Sequence, residues 1–126
     1  MTLLTIREPH SLILAIDRIH DCWFDIDRIK YDASARMISI PFWSGFTQRP
    51  PINQATREAK AFDDLLVVHD AEEPKIEDRE EIGNYTFNDI VIRGNQLAIR
   101  ADPHVRISCV VGSLHITLGD DAPEPS

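Results

Sequence analysis

The 126-residue sequence is poor in cysteine and glycine, with two and five respectively, and it contains no long hydrophobic run. Cys22 and Cys109 lie far apart, and without a Cys-x-x-Cys pair they form neither a disulfide framework nor a zinc motif. The apolar stretch 12–16 is too short to span a membrane and lacks the basic flank of a secretory signal. These absences predict a cytoplasmic protein, with no membrane partner, whose two thiols are reduced and not bonded to each other.

Sequence motifs of common enzyme classes are also missing. The glycines form neither a GxGxxG nor a GxxxxGK loop, and no serine lies in a GxSxG turn. No motif therefore indicates a cofactor. Positive charge is sparse, since 13 Lys and Arg are scattered singly against 21 Asp and Glu, for a formal net charge of −8. Because such a charge repels phosphate backbones, we expect no nucleic-acid partner, and a basic protein partner is better suited to it.

The hydrophobic residues, 43% of the chain, follow the periods of secondary structure. Ser11 is a candidate N-cap, and the apolar residues at helical spacing after it predict a helix over 12–20. Alternation of apolar and polar residues predicts a β-hairpin over 23–43, with a slip of one residue in its first strand. The slip indicates a β-bulge or a residue pair buried on both faces, and Pro41 indicates a sheet edge or the end of the hairpin.

The C-terminal third has the clearest alternation. It predicts four strands that form consecutive antiparallel pairs, at 89–93, 96–101, 104–111 and 114–118. Gly94-Asn95 supplies the two-residue turn of the first pair. Short strands at this spacing predict a mainly β domain over 1–118, α+β at most, folded as an antiparallel β-sandwich or a curved meander sheet with one short N-terminal helix. The segment 119–126 has no apolar anchor, and we expect it to be a disordered tail.

The stretch Arg18–Asp27, "RIHDCWFDID", concentrates side chains that could carry chemistry, and its His20-Asp21 pair recurs at His69-Asp70. Imidazole and carboxylate both suit zinc or iron, so convergence of the two pairs would indicate a metal-dependent or small-ligand-binding enzyme. The alternative is structural: the first pair lies between helix and strand, where its polar groups can satisfy backbone amides. We adopt the structural interpretation, which assigns no catalytic or metal-binding residue, and keep the enzyme as the alternative.

A partner surface is predicted next to these residues. Asp25 and Asp27 alternate with apolar residues, so their carboxylates should form an outward acidic row. Trp43 and Phe46 flank the long proline-containing loop that follows the hairpin, and aromatic side chains beside a loop can form a binding surface or cap the open end of a sandwich core. The four residues together predict an acidic and aromatic surface for a protein partner.

The short helix, His20 and Asp21, and the alternating strands after them resemble a group of small bacterial immunity proteins. These proteins neutralise toxins of interbacterial competition, and they carry a Phe-His-Asp-Ala signature ahead of their strands; Ile19 and Cys22 stand here in place of its Phe and Ala. The pattern is also similar to that of uncharacterised β-rich bacterial proteins. The resemblance implies a non-enzymatic acidic protein that acts by binding a partner.

Overall fold

The computed structural model describes residues 2–43, 64–79 and 81–120, which form mainly antiparallel β-sheet. One helix, α1 (Leu12–Ile19), follows a 3-10 turn at Pro9–Ser11. The ten strands are β1 (Thr2–Ile6), β2 (Trp23–Asp25), β3 (Lys30–Asp32), β4 (Met37–Trp43), β5 (Asp64–Val68), β6 (Ala71–Asp78), β7 (Asn84–Arg93), β8 (Gln96–Asp102), β9 (Val105–Val111) and β10 (Ile116–Asp120). The predicted mainly β class with one short N-terminal helix is confirmed.

All ten strands belong to one sheet. Its order is β1-β10-β5-β4-β2-β7-β8-β9-β6, and β3 pairs with β4 next to β2. Strands β7, β8 and β9 pair consecutively as predicted, and Arg93 faces Gln96 across the two-residue turn at Gly94-Asn95. Gly94 has a φ of +65°, which is the left-handed backbone that such a turn requires.

The predicted pairing of the last two strands is wrong. Strand β10 pairs with β1 on one side and with β5 on the other, so it is separated from β9 by most of the sheet. Ile116 and Leu118 bury their side chains completely in that position. The N–H of Gly112 donates to the carbonyl of Asp70 (3.1 Å) where the chain leaves β9. Strand β10 also extends to Asp120, two residues past the predicted end of the domain.

Helix α1 closes one side of the core. Its residues Leu12, Ala15 and Ile19 are buried at helical spacing, and the helix packs on β7 and β1. Ser11 occupies the predicted N-cap position, although no hydrogen bond joins its side chain to the described backbone. The helix is therefore stabilised by its apolar face, each fully buried large side chain contributing roughly 1.5–3 kcal/mol.

The one-residue slip predicted in the first strand of the hairpin is a 3-10 turn, not a β-bulge. Residues Ile26–Arg28 form this turn between β2 and β3. Asp25 is its N-cap, and its Oδ1 accepts the N–H of Asp27 at 2.9 Å. The turn shifts the alternation of apolar and polar residues by one position between β2 and β3. The two strands pair with different parts of the same neighbour, β4.

Pro41 lies in β4, between two paired strands and not at the edge of the sheet. It pairs with Leu65 of β5 on one side. On the other side β2 pairs with residues 42–43 and β3 with residues 37–39, so the ladder skips Pro41. The 3-10 turn lies at this interruption, and the missing N–H of proline costs no ladder hydrogen bond there.

Candidate functional site

The first His-Asp pair lies at the corner between α1 and β2, as predicted. Asp21 has a φ of +67°, and its N–H donates to the carbonyl of Phe87 at 3.1 Å. Its Oδ2 lies 3.2 Å from Nδ1 of His20, and both side chains are more than half exposed. The polar side chains therefore contact each other, and it is the backbone of Asp21 that binds the corner to β7.

His69, of the second pair, directly follows β5 and stacks on His115, which precedes β10. The ring centroids are 4.1 Å apart, and the N–H of His69 donates to the carbonyl of His115 at 2.8 Å. Nε2 of His69 lies 3.0 Å from Oγ1 of Thr117, and Nη2 of Arg7 lies 3.5 Å from Nε2 of His115. Burial, followed by the charges of His115 and Arg7, lowers the pKa of His69.

Asp70 joins three distant segments of the chain. Its carboxylate accepts hydrogen bonds from the guanidinium of Arg36, in the β3–β4 turn, and from the hydroxyl of Ser113 at 3.1 Å. The N–H of Ala71 donates to the carbonyl of Arg36 at 2.9 Å, so β6 starts against the same turn. Asp70 has a φ of +54°, which asparagine and aspartate tolerate better than other residues. Its carboxylate serves as a junction between β5, β9 and the β3–β4 turn.

The structure joins each of the four candidate residues to a different partner. His20 contacts Asp21, His69 contacts His115, and Asp70 contacts Arg36. Within residues 2–43, 64–79 and 81–120, no group of three or more His, Cys, Asp or Glu is arranged to hold a metal ion.

Both cysteines are free thiols inside the protein, as predicted. Sγ of Cys22 lies 3.6 Å from the carbonyl of Arg18. Cys109 lies on the core side of β9, and burial raises its pKa to about 11. A thiol with that pKa stays protonated at neutral pH and is a poor nucleophile.

Two tryptophans define the outer side of the sheet near the predicted partner surface. Trp23 and Trp43 are opposite each other on β2 and β4, and the pair continues across the sheet to Thr86 of β7 and Asp102 of β8. Phe24 and Phe42, the next residues, are buried in the core, so the half-buried tryptophans lie on the outer face.

Of the predicted partner residues, Asp25 lies on the same outer face as Trp23 and caps the 3-10 turn, while Asp27 is exposed. Phe46 lies outside the described residues. We call the surface made by Trp23, Trp43, Thr86, Asp25 and Asp102 the tryptophan face.

A second outer surface carries arginines from three strands. A continuous rung runs Asp89–Arg100–Arg106–Glu77 across β7, β8, β9 and β6. Arg100 donates from Nε to Oδ1 of Asp89 at 2.6 Å and from Nη2 to Oδ2. This pair lowers the pKa of Asp89. Arg106 forms no ion pair with any residue that the structure describes.

Next to this rung is a surface recess of about 610 Å³. Its lining includes three arginines and no described carboxylate; the polar side chains are Arg93, Gln96, Arg100, Arg106 and Ser108. We call these five residues the arginine face. A neighbouring recess shares Arg100 and Arg106 but is also lined by Glu77, Asp78 and Asp102.

The expectation that the cations are scattered singly is therefore wrong in three dimensions. Arg93, Arg100 and Arg106 are separated in sequence, but each occupies an outward position of its strand. The alternation that predicts the strands also assigns these arginines outward, and the turn at Gly94-Asn95 predicts that the first two strands are neighbours. Those two signals could have identified the cluster.

No match was found to models of known protein families, to curated proteins or to solved structures. Among the described residues, no helix is both long and apolar enough to cross a membrane.

Proposed function

We propose that this chain is a non-enzymatic cytoplasmic interaction protein, of the toxin-neutralising immunity type, that holds a basic segment of a partner protein on the tryptophan face. The observation that carries the proposal is the rung Trp43–Trp23–Thr86–Asp102, with Asp25 beside Trp23 on the same face. It combines two aromatic rings with the carboxylate of Asp102 at one end of the rung and that of Asp25 two residues along β2 from Trp23.

Lysine and arginine side chains bind favourably to that combination. A cation placed over an indole ring gains roughly 0.5–2 kcal/mol, depending on how far it is removed from water. A carboxylate beside the ring adds a charge-assisted hydrogen bond, and tryptophan is among the residues that dominate the energy of protein interfaces. The formal charge of −8 also favours the approach of a basic partner.

The contacts of the candidate chemical groups support a binding role over an enzymatic one. Asp70 is engaged by Arg36 and Ser113, Asp25 caps a turn, and the thiol of Cys109 is buried. Each of these groups contributes to the fold through its contacts or its burial. The resemblance of the His20-Asp21 region to immunity proteins points to the same class of function.

Site-specific crosslinking tests this proposal. A photoreactive phenylalanine replaces Thr86, at the centre of the rung, or Asp17, an exposed carboxylate of α1 that serves as the control position. After crosslinking in cells, a protein captured from position 86 is identified, produced separately and titrated against the purified chain by calorimetry. We expect a basic binding segment in that protein and one-to-one binding.

Charge reversal then decides whether the tryptophan face makes the contact. The variant Asp102→Lys should weaken binding by about tenfold or more, because it places a cation beside the basic segment. The variant Asp17→Lys, which introduces the same charge on α1, should bind like the unmodified chain. Equal weakening by both variants, or chemical conversion of the captured protein by the chain, would contradict the proposal.

A further inference from the structure

We propose a second site, independent of the tryptophan face: the arginine face binds a compact, multiply charged oxyanion such as the phosphate or pyrophosphate group of a small molecule. The juxtaposition of Arg100 and Arg106 on neighbouring strands carries this inference. Nothing in the proposed partner interaction requires this arrangement, although both faces include residues of β7 and β8.

Two like charges that are directly opposite each other on neighbouring strands destabilise a sheet. Asp89 compensates for only one of them, because both of its oxygens bind Arg100. Arg106 has Glu77 opposite on its other side, yet it forms no ion pair with the described residues. A bound oxyanion would offset the repulsion between Arg100 and Arg106, because it would interact favourably with both guanidinium groups.

Asp89 also orients the guanidinium of Arg100. Its carboxylate accepts from Nε and Nη2, which leaves the N–H groups of Nη1 available for a ligand. A guanidinium that is already fixed loses less conformational freedom when it binds an anion. Asp89 is therefore a positioning residue for Arg100.

The side chains between the arginines are small. Ala98 lies opposite Val91 on one side and Ser108 on the other, and Ser108 lies opposite Lys75 of β6. Val91, Ala98 and Ser108 form the floor of the recess, while Arg93 and Gln96 border it at the turn and Arg100 and Arg106 at the opposite end. The floor offers the hydroxyl of Ser108 as an additional polar group.

Charge around the recess limits the size of the ligand. Asp89 and Glu77 lie at the two ends of the arginine rung, so the positive region covers only its centre. The chain as a whole has a formal charge of −8, which repels a long polyanion. A compact oxyanion with several acceptor oxygens fits this local charge better than an acidic protein segment or a nucleic acid.

Calorimetric titration of the full chain with pyrophosphate and with inorganic phosphate tests the site. We expect one pyrophosphate per chain, bound more tightly than phosphate. Arg106→Gln and Arg93→Gln should each weaken pyrophosphate binding by about tenfold, the effect of losing one charge-assisted contact. Arg18→Gln, which removes an exposed arginine from α1, is the matched control and should bind pyrophosphate like the unmodified chain.

A thermal melt of the ligand-free variants gives a second readout. Arg106→Gln should leave the melting temperature unchanged or raise it, because the change removes a like-charge neighbour of Arg100. Absence of pyrophosphate binding, or equal weakening by Arg18→Gln, would overturn the proposal. Tighter binding of hexaglutamate or of a single-stranded oligonucleotide than of pyrophosphate would overturn the assignment to a compact anion. All of these outcomes are independent of the crosslinking at Thr86.

Discussion

His69 and His115 lie with their imidazole rings stacked, the planes inclined by 19° and the centroids 4.1 Å apart. The stack joins the end of β5 to the start of β10, and Arg7, just after β1, lies beside it. Three neighbouring strands of the sheet therefore meet at a cluster of two titratable rings and one permanent positive charge. The side chains of Arg7 and Thr117, a cation and a neutral hydroxyl, make polar contacts with the rings.

We expect acidification to destabilise the protein through this stack. Burial lowers the pKa of both histidines below the ordinary value of 6.5, and nearby positive charge lowers it further. The unfolded chain then binds more protons than the folded chain, so the stabilisation present above the ordinary pKa is lost as the pH falls through it toward the lowered folded values. Urea unfolding at a series of pH values measures this dependence.

The variant His115→Gln should flatten that pH dependence, since it removes one of the two rings and a repelling charge from the other. His10→Gln is the control, because His10 is an exposed histidine whose ring contacts Glu8. An identical slope of unfolding free energy against pH in the unmodified chain and in His115→Gln would contradict the prediction.

Asp70→Asn should lower the free energy of unfolding by about 1 kcal/mol or more, because the carboxylate contacts both Arg36 and Ser113 in a partly buried position. Asparagine tolerates the left-handed backbone, so the change tests the charge. Glu72→Gln, which removes the more exposed carboxylate partner of Arg36, should cost less than about 0.5 kcal/mol. A similar loss of unfolding free energy in the two variants would show that the carboxylate of Asp70 does not act as a junction between Arg36 and Ser113.

The neighbouring Gly112 gives a second test of the junction. A Cβ at this position would lie 2.6 Å from Oδ2 of Asp70 and 3.1 Å from its Cγ, so Gly112→Ala must displace the carboxylate. We expect a loss of about 1–3 kcal/mol in urea unfolding, the usual range for a steric clash in packed structure. The loss should be smaller in the Asp70→Asn background, because the two changes disturb the same contact.

Asp21→Ala should cost about 1 kcal/mol, and Asp21→Gly should cost little or nothing. The reason is the φ of +67°, which is unfavourable for alanine and accessible to glycine. A role for the carboxylate as acceptor for backbone amides would instead make both changes similarly costly. Thermal melts of the two variants separate the backbone explanation from the side-chain explanation.

The two cysteine thiols should react with an alkylating agent only after the chain is unfolded, and this reaction should need no reductant. Both cysteines are buried and free, and the pKa of Cys109 is about 11, so it remains a protonated thiol near pH 8. Alkylation followed by mass spectrometry should find little modification of the native chain and two modified cysteines in denaturant. A requirement for reductant in the denatured sample would mean that the thiols are oxidised.

Features that depend on neighbouring residues could be predicted from the sequence. Alternation and the Gly94-Asn95 turn predict the pairing of β7 with β8, because a two-residue turn places the two strands that flank it side by side. The apolar spacing after Ser11 predicts α1 within one residue of its observed end. The corner at His20-Asp21 follows from its position between helix and strand.

Features that depend on distant residues were decided by the tertiary structure. β10 lies between β1 and β5, and its periodicity is compatible with several neighbours, so only burial in the shared core selects these two. The 3-10 turn at Ile26–Arg28 was not distinguishable from a bulge, since both shift the apolar phase by one residue.

The candidate sites divide in the same way. The sequence by itself determined that His, Asp and Arg side chains occupy turns and outward strand positions, because period and turn chemistry are local. Only the tertiary structure decided that Asp70 meets Arg36 and that His69 meets His115. These contacts join residues that are far apart along the chain or on separate strands. The order and register of the strands determine which residues meet, and burial of the whole core selects that order and register.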